Sequence, residues 1–198
     1  MRAYSHWELA QYLVSFRLPS CTAAERDAFL FGSIEPDLNC TTYLKGLLHG
    51  SGVHGHNYEQ VLPRIDRLLH ELTDKDSVHL LDWYRLGKLT HFIADAFTYP
   101  HNSCFPGDLR AHMKYERQLA VRFRWALYDT VSAQTPPADC GSLFRWIQQQ
   151  HEQYLQNPMG VDNDARFIRS TVCAVVAVLT DDVAPIYTPA QLTGGASL

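Results

Sequence analysis

The sequence predicts an all-α fold, a single-domain multi-helix bundle over residues 1–198, and three observations support this. Helix-capping signals recur along the chain, and no alternating apolar run is bounded by a hairpin turn, so strand signals are poor. With 198 residues, 46% of them hydrophobic, the chain can bury a substantial core. Its charged fraction of 19% is too low for a disordered protein.

The helices are justified by their capping and terminating signals. Ser5-x-x-Glu8 and Thr22-x-x-Glu25 are capping-box patterns, and Asn57-x-x-Gln60 resembles another. Asp108 and Ser142 stand where N-caps are expected. Helices are therefore predicted near residues 6–17, 23–31, 57–72, 77–98, 109–131, 143–156 and 163–180.

Three segments near or after the ends of helices have simple interpretations. Pro100 ends the fourth helix, and the stretch 132–141, which contains two prolines, is a connecting loop. The apolar run 172–179 is too short to span a bilayer and indicates a buried helix, so no transmembrane segment is predicted. A frayed tail is expected from about residue 188.

Charge and cysteine content restrict the partners and the compartment. The formal net charge of −4 provides no broad basic surface, which argues against a partner of duplex nucleic acid. The five cysteines are odd in number and contain no C-x-x-C pair, and no apolar signal segment precedes His6. We therefore expect free thiols and a cytoplasmic protein. The cysteines are Cys21, Cys40, Cys104, Cys140 and Cys173.

Five side chains that bind metals lie between residues 91 and 116. His91 and Asp95 are four residues apart and share a helix face, as do His112 and Glu116, and His101 lies between the two pairs. The loop before the second pair is long enough for the two helices to fold back on each other. Imidazole with carboxylate is a ligand set that zinc uses in catalytic sites. The spacing therefore predicts a zinc site.

A simpler interpretation of each pair is a surface hydrogen bond or a buried histidine whose hydrogen bonds are satisfied. Two pairs with a histidine between them favour metal binding. The apolar neighbours Phe92, Ile93 and Phe97 indicate that the first pair is buried. A buried carboxylate among imidazoles is costly unless a cation compensates its charge.

Further candidate ligands lie upstream. His6 opens the first helix, and Asp37 lies in the turn-like segment GSIEPDLN. A loop before the third helix supplies three more histidines, His49, His54 and His56. Of the ten histidines in the chain, only three lie elsewhere, namely His70, His79 and His151. His151 with Glu152 is interpreted as a surface or helix-packing pair outside the metal site.

These residues carry a family resemblance. The segments SHWELAQYLV, FLFGSIEPDLN, HNYEQVL and LGKLTHFIADAFTYPHN resemble short bacterial members of the zinc-dependent phospholipase C family. The resemblance runs from about residue 5 to about residue 120 and implies the all-helical fold that this family shares with fungal zinc-dependent single-strand nucleases.

The resemblance implies a ligand set for two zinc ions and for a third site. The first zinc would be held by Asp37, His56, His91 and Asp95, with His49 or His54 as alternatives to His56. The second would be held by His101, His112 and Glu116. The third site would use His6 and a bridging Asp95.

The start of the chain departs from the pattern of secreted members. In those proteins the third zinc is completed by the amino group and carbonyl of an N-terminal tryptophan. This chain begins MRAYSHWELA, and Trp7 follows His6, so Trp7 cannot take that role.

The resemblance implies a zinc-dependent phosphodiester hydrolase in which Asp37 orients or deprotonates the attacking water. The expected substrate is a phosphodiester small molecule or a phospholipid head group. Two alternatives stay open: a phosphodiesterase acting on nucleotides or single-stranded nucleic acid, and a non-catalytic zinc-binding protein. The chain contains no Gly-x-Ser-x-Gly elbow, phosphate-binding glycine loop or His-Glu-x-x-His motif.

Overall fold

The computed structural model describes residues 1–38, 57–73, 78–129, 136 and 140–180, and most of these residues lie in helices. The predicted all-α fold is confirmed. Seven α-helices are present in the described part of the chain: α1 (Ala3–Phe16), α2 (Ala23–Leu38), α3 (Tyr58–Thr73), α4 (Leu80–Ala96), α5 (Leu109–Ala126), α6 (Leu143–Gln156) and α7 (Val161–Leu179). Two short 3-10 helices, Tyr99–His101 and Cys140–Ser142, precede α5 and α6.

The capping predictions have mixed outcomes. The Thr22 amide donates to Glu25 Oε2 at 2.7 Å and the Glu25 amide donates to Thr22 Oγ1 at 3.3 Å, so this capping box is confirmed. Asp108 is also confirmed as an N-cap, because its carboxylate accepts a hydrogen bond from the Ala111 amide at 2.8 Å. The predicted box at Ser5 is wrong, since α1 already begins at Ala3.

The second helix is longer than predicted. It was expected to end near residue 31, with Asp37 in a turn, but α2 continues through Pro36 to Leu38 and therefore carries Asp37 itself. Pro36 removes only one backbone donor close to the helix end. Tertiary packing of α2 on α4 outweighs this loss and extends the helix.

Two glycines allow α2 and α4 to pack backbone against backbone. A Cβ atom on Gly32 would lie 2.1 Å from the Tyr84 carbonyl oxygen, and one on Gly87 would lie 2.2 Å from the Phe29 carbonyl oxygen. Only glycine has no side-chain atom at these positions, so the two helices can approach closely. This approach places the last turn of α2 beside the last turns of α4, where the metal-binding side chains were predicted.

The core contains apolar side chains from all seven helices. The last helix, α7, contributes strongly, because Val172, Val175 and Val176 are fully buried. The buried helix predicted for this apolar run is confirmed. Among the described residues, no helix is both long enough and apolar enough to cross a membrane.

Candidate metal centre

One group of potential ligands joins α1 to α4. His6 lies near the start of α1, while His91 and Asp95 lie on the last two turns of α4, and all three side chains are buried. His6 Nε2 is 3.2 Å from Asp95 Oδ1, and His91 Nε2 is 3.3 Å from Asp95 Oδ2. Ligands bound tetrahedrally at about 2.0–2.1 Å are about 3.3 Å apart. The three side chains are therefore spaced to share one metal ion.

The orientation of His91 is set by α2. His91 Nδ1 lies 2.9 Å from the carbonyl oxygen of Ser33, so a proton on Nδ1 donates to that carbonyl. In the neutral ring this leaves Nε2 as the lone-pair nitrogen, directed towards Asp95 and 3.8 Å from Asp37 Oδ1. A backbone carbonyl that fixes the tautomer in this way is a usual outer partner of a metal-binding histidine.

A second group joins the Tyr99–His101 turn to α5. Glu116 Oε1 lies 3.3 Å from His101 Nε2 and 3.1 Å from His112 Nε2. In this group, as in the first, one potential ligand atom from each of the three residues lies within 4.8 Å of the others. The groups adjoin each other, because His101 Nδ1 is 3.6 Å from Asp95 Oδ1. Asp95 therefore stands between the two groups.

The amino group of Met1 lies between the same residues, which the sequence did not predict. Its nitrogen is 2.5 Å from Asp95 Oδ1, and 3.2 Å both from His101 Nε2 and from Glu116 Oε1. Burial lowers the pKa of this amine, but Asp95 and the other nearby carboxylates outweigh burial and raise it to about 10. The Met1 nitrogen and His6 Nε2 thus lie beside the same oxygen of Asp95.

The centre concentrates charge in a buried volume. Burial raises the pKa of Asp95, but the Met1 ammonium and the surrounding histidines overcome this and hold it well below its usual value. Burial and the neighbouring His91 lower the pKa of His6 to about 3. Burial also lowers the pKa of His101. These two imidazoles are therefore neutral near pH 7, which is the state that binds a metal.

His6 provides the observation that best tests whether a metal suits this centre. The residue is 1% exposed, and neither ring nitrogen makes a hydrogen bond with the described residues, although Nε2 faces Asp95. A buried polar nitrogen without a hydrogen bond is costly, and a metal ion would satisfy it. Neutral imidazoles beside carboxylates are also the donor set that zinc prefers. The residues present therefore fit zinc.

Asp37 stands at the rim of the first group. Its side chain is 13% exposed, whereas that of Asp95 is completely buried. Burial raises the pKa of Asp37 to about 6, although His91 acts in the opposite direction. A carboxylate with a pKa close to the working pH, partly open to solvent, has the properties of a general base.

Behind the second group lies a buried carboxylate that the sequence did not single out. Asp164 on α7 accepts hydrogen bonds from the Tyr99 amide at 2.9 Å, the Tyr115 hydroxyl at 2.8 Å and the Tyr154 hydroxyl at 2.8 Å. Burial raises its pKa to about 6, and these hydrogen bonds oppose the increase. No spacing rule connects residues this far apart, so no sequence signal indicated the cluster.

His151 is a packing residue rather than a surface residue. It is 3% exposed, its ring stacks on Tyr58 with centroids 3.5 Å apart, and its Nε2 donates to Asn102 Oδ1 at 2.8 Å. Asn102 in turn donates to the carbonyl of Ala96, the last residue of α4, and to that of Thr98, which precedes the Tyr99–His101 turn. Of the two interpretations of His151, the structure supports helix packing and excludes a surface position.

The structure brings together most of the predicted ligands. Asp37 lies next to the first group, and both groups consist of predicted residues: His6, His91 and Asp95 in the first, and His101, His112 and Glu116 in the second. The predicted loop ligand His56 and its alternatives His49 and His54 lie outside the described residues.

Comparison with known protein families gives a match. A family model described as "Zinc dependent phospholipase C" matches residues 5–160, which is more than half of the chain. The matched range includes all six residues of the two groups as well as Asp37. No curated protein and no solved structure matches the chain.

Proposed function

The chain belongs to the zinc-dependent phospholipase C family, and from this premise we propose that it is a zinc-dependent phosphodiester hydrolase. One structural observation carries the proposal beyond membership of the family. Two groups of three ligand side chains adjoin each other, and each group is compact enough to hold one metal ion. Adjacent metal sites are a recurrent arrangement in enzymes that cleave phosphate esters.

We assign two zinc sites to these groups. His6, His91 and Asp95 would hold one ion, with Asp37 or His56 as additional ligands. The other site would use the three residues of the second group, His101, His112 and Glu116. A third ion held by His6 and a bridging Asp95 stays a prediction, and it would take His6 from the first site, because a neutral imidazole has one lone pair.

When bound, zinc would lower the pKa of a coordinated water and polarise the phosphate oxygens, so no nucleophilic side chain would be required. Asp37 would orient the attacking water and accept its proton at a carboxylate oxygen, because it is partly exposed at the rim of the first group and its pKa is raised to about 6. Asp95 would hold the two groups in register, and Ser33 would keep His91 in the tautomer that binds metal.

Charge supports an anionic substrate. The centre contains three carboxylates, Asp37, Asp95 and Glu116, while burial keeps His6 and His101 neutral. Two divalent cations would more than offset these negative charges, and the Met1 ammonium adds a further positive charge. A site with a net positive charge attracts a phosphodiester, which carries one negative charge. We therefore propose a phosphodiester small molecule or a phospholipid head group as the substrate.

The test combines metal analysis with a substrate screen. We expect elemental analysis of the purified protein to find at least two zinc ions per chain. The zinc-loaded protein should hydrolyse phosphatidylcholine vesicles or bis-p-nitrophenyl phosphate, and chelation followed by zinc readdition should abolish and restore this activity. Cleavage restricted to nucleotides and single-stranded DNA would identify the nuclease alternative. Two bound zinc ions without any hydrolysis would contradict the proposal and indicate a non-catalytic zinc protein.

A further inference from the structure

The two parts of the second metal group belong to separate elements with no continuous helix between them. His101 lies on the Tyr99–His101 turn, whereas His112 and Glu116 lie on α5. Correct spacing of the three ligand atoms therefore depends on how the turn and the helix are held relative to each other. Outer contacts that fix such ligands are worth about 10–100-fold in metal affinity.

A single oxygen atom connects these two elements. Asp164 Oδ2 accepts both the Tyr99 amide at 2.9 Å and the Tyr115 hydroxyl at 2.8 Å. Tyr99 begins the turn that ends at His101, and Tyr115 immediately precedes Glu116 on α5. The two rings also pack edge to face, with centroids 5.7 Å apart.

The other carboxylate oxygen serves a different element. Asp164 Oδ1 accepts the Tyr154 hydroxyl at 2.8 Å, and Tyr154 lies on α6, which carries none of the assigned ligands. Asp164 itself is completely buried on α7, beyond the segment that matches the family model. The two oxygens of Asp164 thus serve different elements: Oδ2 holds the two elements that carry ligands, and Oδ1 holds α6, which carries none.

We propose that Asp164 is a positioning residue for the second metal site, holding the turn of His101 and the helix of Glu116 at ligand distance through its Oδ2 atom. This inference rests on the proposed zinc sites but does not depend on the identity of the substrate. It assigns Tyr99 and Tyr115 to the same support, and Tyr154 to the attachment of α6, which carries none of the assigned ligands.

Two tyrosine substitutions form a matched pair that tests the assignment. Tyr115→Phe and Tyr154→Phe each remove one hydroxyl that donates to Asp164, so their costs in folding stability should be similar. Only Tyr115→Phe detaches an element that carries ligands. We expect about tenfold weaker zinc binding at the second site for Tyr115→Phe, and binding within about threefold of wild type for Tyr154→Phe.

Substitutions of Asp164 separate hydrogen bonding from charge. Asp164→Ala removes the acceptor for the turn and should weaken the second site about 10–100-fold. Asp164→Asn should keep most of the wild-type zinc affinity at the second site. The Tyr99 amide can only donate, so it selects the Asn carbonyl oxygen at the Oδ2 position. The Tyr154 hydroxyl can accept a hydrogen bond from the Asn side-chain NH₂ at the other position. In zinc-free protein, Asp164→Ala should also increase hydrogen exchange of the Tyr99 amide, and Asp164→Asn should not.

Zinc affinity is measured by competition with a chromogenic chelator, which resolves the two classes of site. The class of site that is lost in His112→Ala belongs to the second group, and the class that is lost in His6→Ala belongs to the first. Circular dichroism checks that each variant is folded. Selective weakening of the His112 class in Tyr115→Phe, with rescue by Asp164→Asn, would support the inference.

Equal zinc affinity of Tyr115→Phe and Tyr154→Phe, or equal loss of both classes in Asp164→Ala, would overturn it. A wild-type protein that lacks the His112 class would overturn it together with the proposed zinc sites. A zinc-loaded wild type without hydrolase activity would contradict the proposed function alone and leave the positioning role intact.

Discussion

Asp95 is the residue on which both metal groups converge. Its carboxylate lies 3.2 Å from His6 Nε2, 3.3 Å from His91 Nε2 and 3.6 Å from His101 Nδ1, and it is completely buried. A buried carboxylate in this position can offset the charge of two cations. Its neutral amide counterpart has nearly the same volume but provides no such charge.

We therefore predict that Asp95→Asn weakens zinc binding at both groups by at least about 100-fold. This is the upper end of the effect of losing a residue that only supports a ligand, and Asp95 is itself a proposed ligand. Zinc content and any hydrolase activity should fall together. Elemental analysis after dialysis measures the loss, with circular dichroism to confirm folding. The control is His70→Ala, whose side chain is 78% exposed and belongs to neither group. A folded Asp95→Asn protein with full zinc content would contradict the bridging role.

His151 gives a pH-dependent prediction. Burial lowers its pKa from 6.5 to about 4, so the folded state favours the neutral ring. Its contribution to the free energy of unfolding is complete above pH 6.5. As the pH falls towards 4, the free energy of unfolding decreases by on the order of 3 kcal/mol. Urea unfolding of zinc-free protein at pH 7 and pH 4.5 tests this. His151→Gln should be less stable than wild type at pH 7 and similar to it at pH 4.5; an unchanged difference would refute the prediction.

At the level of helices, the contact between α2 and α4 sets the geometry of the first metal group. Gly87 faces the Phe29 carbonyl, and the same contact brings the Ser33 carbonyl to His91 Nδ1. A methyl group at Gly87 would meet backbone atoms, which cannot move aside as a flexible side chain can.

We predict that Gly87→Ala lowers the free energy of unfolding by about 1–3 kcal/mol and also weakens zinc binding, because the helices must separate. Gly160→Ala is the matched control. A Cβ atom there meets nothing within 4 Å, and the φ of 163° is extended backbone that any residue adopts. Urea unfolding of both variants checks the prediction. Equal stabilities would show that the close helix contact is not required.

The part of the site that could be predicted from the sequence follows the helical repeat. His91 with Asp95, and His112 with Glu116, were found because residues four apart share a helix face. His6 and Asp37 lie on other helices, and only the resemblance to a family suggested that they approach His91. Their approach depends on packing that single-sequence patterns do not encode.

Two features were beyond prediction for the same reason. The helix was expected to end before Asp37, but contact with α4 carries α2 through Pro36. Asp164 meets Tyr99 and Tyr115 across 65 and 49 residues of chain, and no local pattern marks such a contact. Within the described ranges, the number of helices and most of their boundaries, which depend on local capping and periodicity, were predicted more closely.

For the whole molecule, zinc binding and folding should be linked. The ligands come from α1, α4, the Tyr99–His101 turn and α5, so an unfolded chain cannot present them together. At a zinc concentration about 100-fold above the dissociation constant, binding adds about 2.7 kcal/mol of stability for each site, or about 5 kcal/mol for the two proposed sites. For a chain of this size, chelation of both ions should therefore lower the Tm by about 10–20 °C. Differential scanning calorimetry with and without a chelator tests this, and an unchanged Tm would argue against ligands drawn from several helices.

The helix beyond the family match has a consequence for the smallest unit that can fold. The matched segment ends at residue 160, immediately before α7 begins. That helix supplies a wall of the core, including Phe167 and Ile168, together with Asp164. A chain shortened to residues 1–160 would expose the apolar faces of α4, α5 and α6 to water.

We predict that this shortened chain aggregates, as measured by size-exclusion chromatography, or shows no cooperative unfolding transition in thermal melting. Added zinc should not change this result. A soluble fragment that melts cooperatively would disprove the prediction. The family match covers every proposed ligand that the structure describes, but it ends before α7. The segment that is recognised as related to the family is therefore shorter than the segment that the protein needs in order to fold.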